Sequence, residues 1–170
     1  AFSRADPMKP CPIGADGLCC KNCFMGPCRV VKEGQTGVCG ATPETIIARN
    51  FARAVAAGAS AHSDHGRDMA FTLKAAATDE KCDYEINDPY KLFSVAKMLD
   101  VPVEGRSVQE IASDVADIAI AQFGQQTGEI VYIKGAPEKR QKIWREFGDV
   151  PRGVDREVVE LLHRTHMGDD

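Results

Sequence analysis

Six of the seven cysteines lie within the first forty residues, and four of them have the spacing of a metal centre. Cys20, Cys23, Cys28 and Cys39 form the pattern Cys-x2-Cys-x4-Cys-x10-Cys. A cubane iron–sulfur cluster takes one thiolate per iron, so this set is complete for one cluster. Zinc is the competing metal, but structural zinc sites usually have two close pairs of cysteines, and the last two are too far apart. The spacing favours iron–sulfur over zinc.

Two cysteines, Cys11 and Cys19, remain outside that set. Cys19 and Cys20 are neighbours, and neighbouring side chains of an extended segment point to opposite sides, so we expect them to serve different centres. Two thiolates are half of what a cubane needs, and a two-fold homodimer would supply the other half. Alternatively, Cys11 is a free or buried thiol and only one centre exists. Cys82 has no partner in the spacing and is assigned no role.

Composition narrows the class of protein. The 170 residues are 44% hydrophobic and 27% charged with a formal net charge of −4, which is typical of a globular protein of one domain or slightly more. The mild acidity argues against nucleic acid as a partner, and the lack of a long uncharged apolar run predicts no membrane span. Only Cys82 follows Cys39, so a disulfide scaffold is the weaker interpretation.

The beginning of the chain has no basic stretch leading into an apolar one. The sequence therefore predicts no secretory signal peptide and a cytoplasmic location. The first residue is Ala1 rather than Met, which we interpret as the mark of a processed or excised piece of a longer protein.

The sequence pattern predicts a mainly α fold with two regions, which together must position the cysteines. Residues 1–41 are expected to be a Cys- and Gly-rich cluster-binding loop region, in which Gly26, Gly37 and Gly40 allow tight turns. Residues 42–170 are expected to form a helical bundle of about five helices, one structural unit with the loop region.

The first predicted helix is long. It begins at Thr42-Pro43-Glu44, which supplies a hydroxyl N-cap, a proline at the first helical position and an acid in the first turn. Positions three or four apart then predict one inward face, made of Ile47, Phe51, Val55, Gly58, His62, His65, Met69 and Leu73. Gly66 weakens the helix, and a bend or break is expected near it.

The second and third predicted helices have start signals of their own. Asp88-Pro89 opens the second helix, whose inward residues are Leu92, Val95, Ala96 and Leu99. Ser107 and Glu110 form a capping-box pattern for the third. Its inward stripe is Val108, Ile111, Ala112, Val115, Ile118 and Ala119.

The last part of the chain is predicted to hold two more helices. Residues 129–134 are expected to be a short strand or an extended link. Pro137 starts the fourth helix, which ends near Gly148, and the fifth runs over residues 154–166.

The cysteine-rich segment contains Cys11-Pro12-Ile13-Gly14, residues 17–29 and Gly37-Val38-Cys39-Gly40-Ala41. Together these stretches resemble the N-terminal signature of anaerobic nickel–iron carbon monoxide dehydrogenases. Further similar stretches are Ala48-Arg49-Asn50, Ala57-Gly58, His62-Ser63-Asp64-His65-Gly66-Arg67, Glu104-Gly105 and His163-Arg164-Thr165-His166-Met167-Gly168. The resemblance covers nearly the whole chain and is most specific around the cysteines.

The resemblance implies two iron–sulfur centres in a homodimer. Cys20, Cys23, Cys28 and Cys39 match the ligands of the family's B cluster, a 4Fe–4S centre. Cys11 and Cys19 match the ligands of its D cluster, which is shared across the dimer, and the seven-residue gap matches the 4Fe–4S form. The resemblance thus implies one cluster per chain and one more per dimer.

The resemblance also implies an enzyme that interconverts CO and water with CO2, two protons and two electrons. The ligands of its nickel–iron–sulfur C cluster lie in a later part of the family's chain, so we expect no active cluster in this segment. The final three residues, 168–170, differ slightly from the family's run.

The histidines of the long helix have two interpretations. His62 and His65 match the first two members of a family series at i, i+3, i+6 and i+9 that is proposed to carry protons. Asp68 and Phe71 occupy the other two positions, and only Asp68 could relay a proton. The alternative is that both histidines are structural residues at the edge of the core.

Three classes of function follow. The first is the electron-transfer and dimerisation domain of a carbon monoxide dehydrogenase, with a ferredoxin or similar acceptor and an acetyl-CoA synthase subunit as a further partner. The second is a stand-alone ferredoxin-like iron–sulfur carrier, and the third is a zinc-stabilised helical interaction module. Basic residues around the cysteines could offset anionic clusters or meet an acidic ferredoxin; they are Lys9, Lys21, Arg29 and Lys32.

Overall fold

The computed structural model describes residues 1–167, which divide into two compact units. The first unit contains Ala1–Gly58 and the chain from Glu160 onward, and the second contains Ala59–Val159. Within the described residues the fold is mainly α with a single two-stranded sheet, which confirms the predicted fold class. Residues 168–170, including Gly168 of the similar stretch, lie outside the described part. The division into residues 1–41 and 42–170 stays a prediction.

The cysteine-rich segment contains short regular elements that the sequence did not predict. Helices α1 (Phe2–Ala5) and α2 (Pro12–Ala15) precede two antiparallel strands, β1 (Cys19–Cys20) and β2 (Cys28–Arg29). Each element has four residues or fewer, too short for a hydrophobic period to appear in the sequence. The strands turn residues 19–29 into a hairpin that brings Cys20 opposite Cys28.

Helix α3 (Pro43–Thr78) is continuous over 36 residues, so the helix does not break near Gly66, and a bend there stays a prediction. One glycine costs about 1 kcal/mol relative to alanine, which is too little to interrupt so long a helix. The predicted start is confirmed, because the backbone N–H of Thr45 donates to Oγ1 of Thr42 at 3.3 Å.

The predicted inward face of α3 is also wrong for most of its length. Phe51 is 71% exposed, and Ile47, Val55, Met69 and both histidines of that face are exposed as well. The buried residues of α3 are Ile46, Arg49, Ala56 and Ala70. A regular spacing identifies the residues of one helix face, but it does not say whether that face is covered.

The core of the second unit lies between two helices whose starts were predicted. Helix α4 (Pro89–Met98) begins at Asp88, whose carboxylate accepts from the backbone N–H of Lys91 at 2.9 Å. Helix α5 (Val108–Ala121) begins with the capping box of Ser107 and Glu110. The buried cluster that joins them is Leu92, Ala96, Leu99, Val101, Ile111, Ala112 and Val115.

The rest of the second unit differs from the prediction at residues 129–134. Residues 129–134 do not form a strand; a 3-10 helix runs over Val131–Gly135, and the amide of Val131 donates to Oε1 of Gln122 at 2.8 Å. A side chain thus satisfies the backbone group that a strand would have given to a neighbour. Helix α6 (Glu138–Phe147) ends at Gly148, whose φ of 72° is left-handed, as its position at a helix end requires.

The final helix, α7 (Arg156–Met167), begins two residues after the predicted start at residue 154. Its length and end agree with the prediction. None of the helices in residues 1–167 combines the length and the apolar content that crossing a membrane requires.

Candidate metal centres

The four cysteines of the Cys-x2-Cys-x4-Cys-x10-Cys pattern line one cavity of about 90 Å³ in the first unit. Cys20 and Cys28 face each other across the two strands, and Cys23 lies in the turn between them. Cys39 comes from the loop that leads into α3. The hairpin and this loop therefore bring together four thiols that span twenty residues of sequence. We call this cavity the four-thiol cavity.

Gly26 shapes the wall of the four-thiol cavity. A Cβ atom at this position would lie 2.9 Å from the amide nitrogen of Cys28 and 3.1 Å from the carbonyl oxygen of Cys20. Both distances are to backbone, which cannot move aside as a side chain can, so only glycine fits. Gly40 has a φ of 90°, and Gly37 donates its amide to the carbonyl of Ala41 at 2.8 Å.

Arg49 of α3 also lines the four-thiol cavity. It is only 9% exposed, and its Nη1 donates to Sγ of Cys39 at 3.8 Å. The backbone N–H of Ala41, and next the Arg49 guanidinium, hold the pKa of the Cys39 thiol below its ordinary value. Both contacts favour the thiolate, which is the form that binds metal.

Cys11 and Cys19 line a second, open cavity of about 680 Å³, which we call the two-thiol cavity. Cys19 and Cys20 are consecutive residues of β1, and the alternation of side chains along a strand sends them to different cavities. Three basic side chains also line this cavity: Lys21, Arg29 and Arg53. The six cysteines are thus divided four and two.

Hydrogen bonds at the two-thiol cavity favour the Cys11 thiolate and fix the segment that follows it. The backbone N–H groups of Gly14 and then Ile13, at the start of α2, hold the pKa of the Cys11 thiol below its ordinary value. Asn50 of α3 donates from Nδ2 to the carbonyls of Gly17 at 3.2 Å and Cys19 at 3.4 Å. These bonds tie the segment between the two cysteines to the helix.

Sequence reasoning assigned no role to Arg49, Asn50 or Arg53. The signal was present, since Ala48-Arg49-Asn50 is one of the stretches that carry the resemblance, and a cationic residue recurs one turn later at Arg53. Of the basic residues suggested from the sequence, Lys21 and Arg29 line the two-thiol cavity. Lys9 and Lys32 line neither cavity.

The four thiols suit a cluster of several metal atoms. They surround a cavity, as expected when each iron of a cubane takes its own cysteine. Within residues 1–167, no three Cys, His, Asp or Glu side chains come together as ligands of one ion.

Two of the four histidines, His62 and His65, lie in the second unit, on α3. His62 and His65 are both exposed, as is Asp68 at the next position of the series. Phe71 is half exposed, and Arg67 forms an ion pair with Asp64 at 2.6 Å on the same stretch of helix. Both histidines are therefore exposed in this chain, and the choice between a relay and a structural role stays a prediction.

The fold and these cavities define a mainly helical protein whose cysteine-rich segment divides six thiols between two cavities. Its sequence matches the Prismane/CO dehydrogenase family over residues 18–170, and the chain belongs to that family.

Relatives of known name agree with this assignment. Carbon monoxide dehydrogenase 1 of Methanosarcina mazei is 47% identical over 174 residues, which cover 100% of this chain and 28% of the relative. Carbon monoxide dehydrogenase 2 of Carboxydothermus hydrogenoformans is 41% identical, with 99% of this chain and 27% of the relative covered. The chain therefore spans little more than a quarter of the relatives that it matches.

Solved structures have the same fold. The nickel-free carbon monoxide dehydrogenase of Thermococcus sp. AM4 superposes with a TM-score of 0.90 at 42% identity, over 99% of this chain and 27% of that one. A chain of acetyl-CoA synthase/carbon monoxide dehydrogenase superposes with a TM-score of 0.89 at 35% identity, over 99% and 26%. The latter structure is described as having NiZn[Fe4S4] and NiNi[Fe4S4] clusters in its alpha subunits.

Proposed function

We propose that this chain is the electron-transfer and dimerisation domain of an anaerobic, nickel-dependent carbon monoxide dehydrogenase. The observation that carries the proposal is the division of six cysteines between a cavity with four thiols and a cavity with two. Family membership supports the same conclusion. The complete enzyme would convert CO and water to CO2, two protons and two electrons.

Four residues of this chain would hold a 4Fe–4S cluster on their own: Cys20, Cys23, Cys28 and Cys39. The cluster supplies one-electron transfer when it is bound. The wall at Gly26 keeps the backbone close to it, and the hydrogen-bond donors at Cys39 favour the ligating thiolate. These residues bind and orient the group without taking part in the chemistry of CO.

Cys11 and Cys19 would hold one half of a second 4Fe–4S cluster. A second copy of the chain supplies the other two thiolates across a two-fold axis, because an isologous contact presents the same residues twice. The openness of the two-thiol cavity and its lining by Lys21, Arg29 and Arg53 support a shared anionic group at this surface.

Electrons would leave the enzyme for a ferredoxin or a similar acceptor, and an acetyl-CoA synthase subunit is a further partner. One relative in the family carries the name carbon monoxide dehydrogenase/acetyl-CoA synthase subunit beta, which supports that second association. The nickel–iron–sulfur C cluster would be held by residues outside this chain.

His62 and His65 would carry protons released by the oxidation of CO. They are three residues apart on one face of α3, and imidazole accepts and releases a proton near neutral pH. Asp68 is one further turn along the same face. In the complete enzyme, His65→Phe should slow CO-dependent reduction of a viologen dye while iron per chain is unchanged. Wild-type turnover across neutral pH would contradict the relay and favour structural histidines.

The proposal is tested by metal analysis of the anaerobically purified natural protein. We expect about six irons per chain from the two centres of this domain, since half of the shared cluster belongs to each chain, in addition to the iron of the C cluster. Acid-labile sulfide and CO-dependent viologen reduction should accompany the iron. A protein that contains zinc without sulfide would support the zinc-stabilised module instead. Iron and sulfide without any CO activity would support a ferredoxin-like carrier.

A further inference from the structure

Arg49 is the buried cation of the four-thiol cavity. It lies in the second turn of α3 and lines the cavity with all four thiols, and its side chain is nine-tenths buried. Its Nη1 atom donates to Sγ of Cys39 at 3.8 Å, the distance of a hydrogen bond to sulfur. The Arg49 guanidinium stays protonated at every accessible pH. The contact therefore places a permanent positive charge against one of the proposed ligands.

We propose that Arg49 is a positioning residue that raises the reduction potential of the cluster in the four-thiol cavity. The inference rests on the proposed function, because it requires a 4Fe–4S cluster on Cys20, Cys23, Cys28 and Cys39. Arg49 would act through the Cys39 sulfur and would not itself ligate iron.

The sign of the effect follows from charge. A 4Fe–4S cluster with four thiolates changes from a net charge of about −2 to about −3 when it takes up one electron, and no bond forms or breaks. A nearby positive charge stabilises the more negative form to a greater extent. Net charge and hydrogen bonds to sulfur are among the factors that set the potential of such clusters. Arg49 supplies both, and its burial weakens the screening that water would provide.

Arg53 provides a matched comparison within the same helix. It is one turn after Arg49, it has the same charge, and it lines the two-thiol cavity rather than the four-thiol cavity. Unlike Arg49, it is exposed. Each cavity is therefore lined by one of these two arginines of α3. Substitution of Arg53 should leave the reduction potential of the four-thiol cluster unchanged.

The test is a dithionite titration of the complete, anaerobically purified protein, followed by electron paramagnetic resonance of the four-thiol cluster. Arg49→Gln removes the charge but keeps an N–H donor, Arg49→Lys keeps the charge, and Arg53→Gln is the control. We expect Arg49→Gln to retain its iron and to lower the equilibrium constant for reduction about tenfold, which is 59 mV for one electron. Arg49→Lys and Arg53→Gln should stay within about twofold of the wild type, because neither removes the charge at this cavity.

An unchanged potential in Arg49→Gln with intact iron would overturn the inference, as would an equal shift in Arg53→Gln. Loss of iron from both Arg49 variants would also overturn it, because Arg49 would then hold the thiols in place rather than set a potential. If Arg49→Gln alone loses iron, the reduction potential of Arg49→Lys is measured in its place. A tenfold change in the equilibrium constant for reduction in that variant, which keeps the charge, would refute the role of charge. A wild-type protein without an iron–sulfur signal would instead contradict the proposed function itself.

Discussion

The two units of this chain differ in the apolar core that stabilises them. The second unit has a cluster of seven buried apolar residues between α4 and α5, with further apolar side chains packed around it. Among the described residues, the buried cluster of the first unit has only Cys20, Val30, Ala41 and Ile46, and one of these is a proposed ligand. The first unit also leaves Phe24 fully exposed beside the four-thiol cavity.

A bound group is expected to contribute more to the folding of the first unit than to that of the second. Burial of apolar area stabilises the second unit whether or not metal is present. The hairpin of the first unit buries little, so the free energy of cluster binding is expected to supply much of its stability. Metal removal should therefore affect the two units unequally.

The largest effect is expected from Cys23→Ala. A cluster that lacks one of four thiolates is poorly held, so the variant should lose about four irons per chain. Hydrogen exchange of residues 19–41 should rise strongly, while that of residues 89–121 stays at the wild-type rate. Mass spectrometry of exchange and iron analysis of the anaerobic protein measure both.

Cys82→Ala is the matched control for that variant. Cys82 is half-buried in the second unit and lines neither thiol cavity. Iron per chain should stay unchanged in this variant. If Cys23→Ala keeps all of its iron, the four cysteines are not the ligands of one cluster.

A smaller loss is expected from Cys11→Ser. If Cys11 and Cys19 hold half of a shared cluster, the variant loses about two irons per chain rather than four. Its dimer should also dissociate at a higher concentration than that of the wild type, because a shared centre stabilises the association. Sedimentation under anaerobic conditions measures the dimer. Loss of four irons per chain, or a fully loaded wild type that is monomeric at every concentration, would refute a shared centre.

The second unit should respond to a change in its core with no change in iron. Ile111 of α5 is fully buried, and its replacement by alanine should lower the free energy of unfolding of this unit by about 2–5 kcal/mol. Hydrogen exchange of α4 and α5 reports the loss. Ile143→Ala on the exposed side of α6 is the control, and it should cost far less. A loss of iron in Ile111→Ala would show that the two units depend on each other.

The smallest effect concerns an ion pair of the second unit. The Arg152 guanidinium, 2.7 Å from the carboxylate, lowers the pKa of Glu157 from 4.5 to about 2. A depressed pKa in the folded state adds stability above pH 4.5, and this contribution is lost as the pH falls from 4.5 towards 2. Both side chains are partly exposed, so the contribution is at most about 1 kcal/mol.

Glu157→Gln should therefore destabilise the start of α7 slightly at pH 7 and less at pH 3. Hydrogen exchange at the two values compares the variant with the wild type, and Glu146→Gln on α6 is the control. A difference that is the same at both pH values would show that the carboxylate charge does not stabilise this region.

The helices of the second unit could be predicted because their signals are local. Asp88-Pro89, the capping box of Ser107 and Glu110, and the glycine at Gly148 each act within one turn of backbone, and each was observed at the predicted place. The short strand or extended link expected at residues 129–134 is instead largely a 3-10 helix, and a strand there would have needed a partner that is distant in sequence. There a side chain, Gln122, provided the hydrogen bond instead.

The number of thiols and the separation of Cys19 from Cys20 follow from the order of residues alone, because ligand spacing and strand alternation depend only on neighbours along the chain. Folding in three dimensions was needed to show that Arg49 and Arg53 of one helix reach different cavities, and that the apolar face of α3 is open. Those features depend on which distant segments pack against the helix. A periodic pattern gives the faces of a helix, but contact between segments far apart in sequence decides what each face meets.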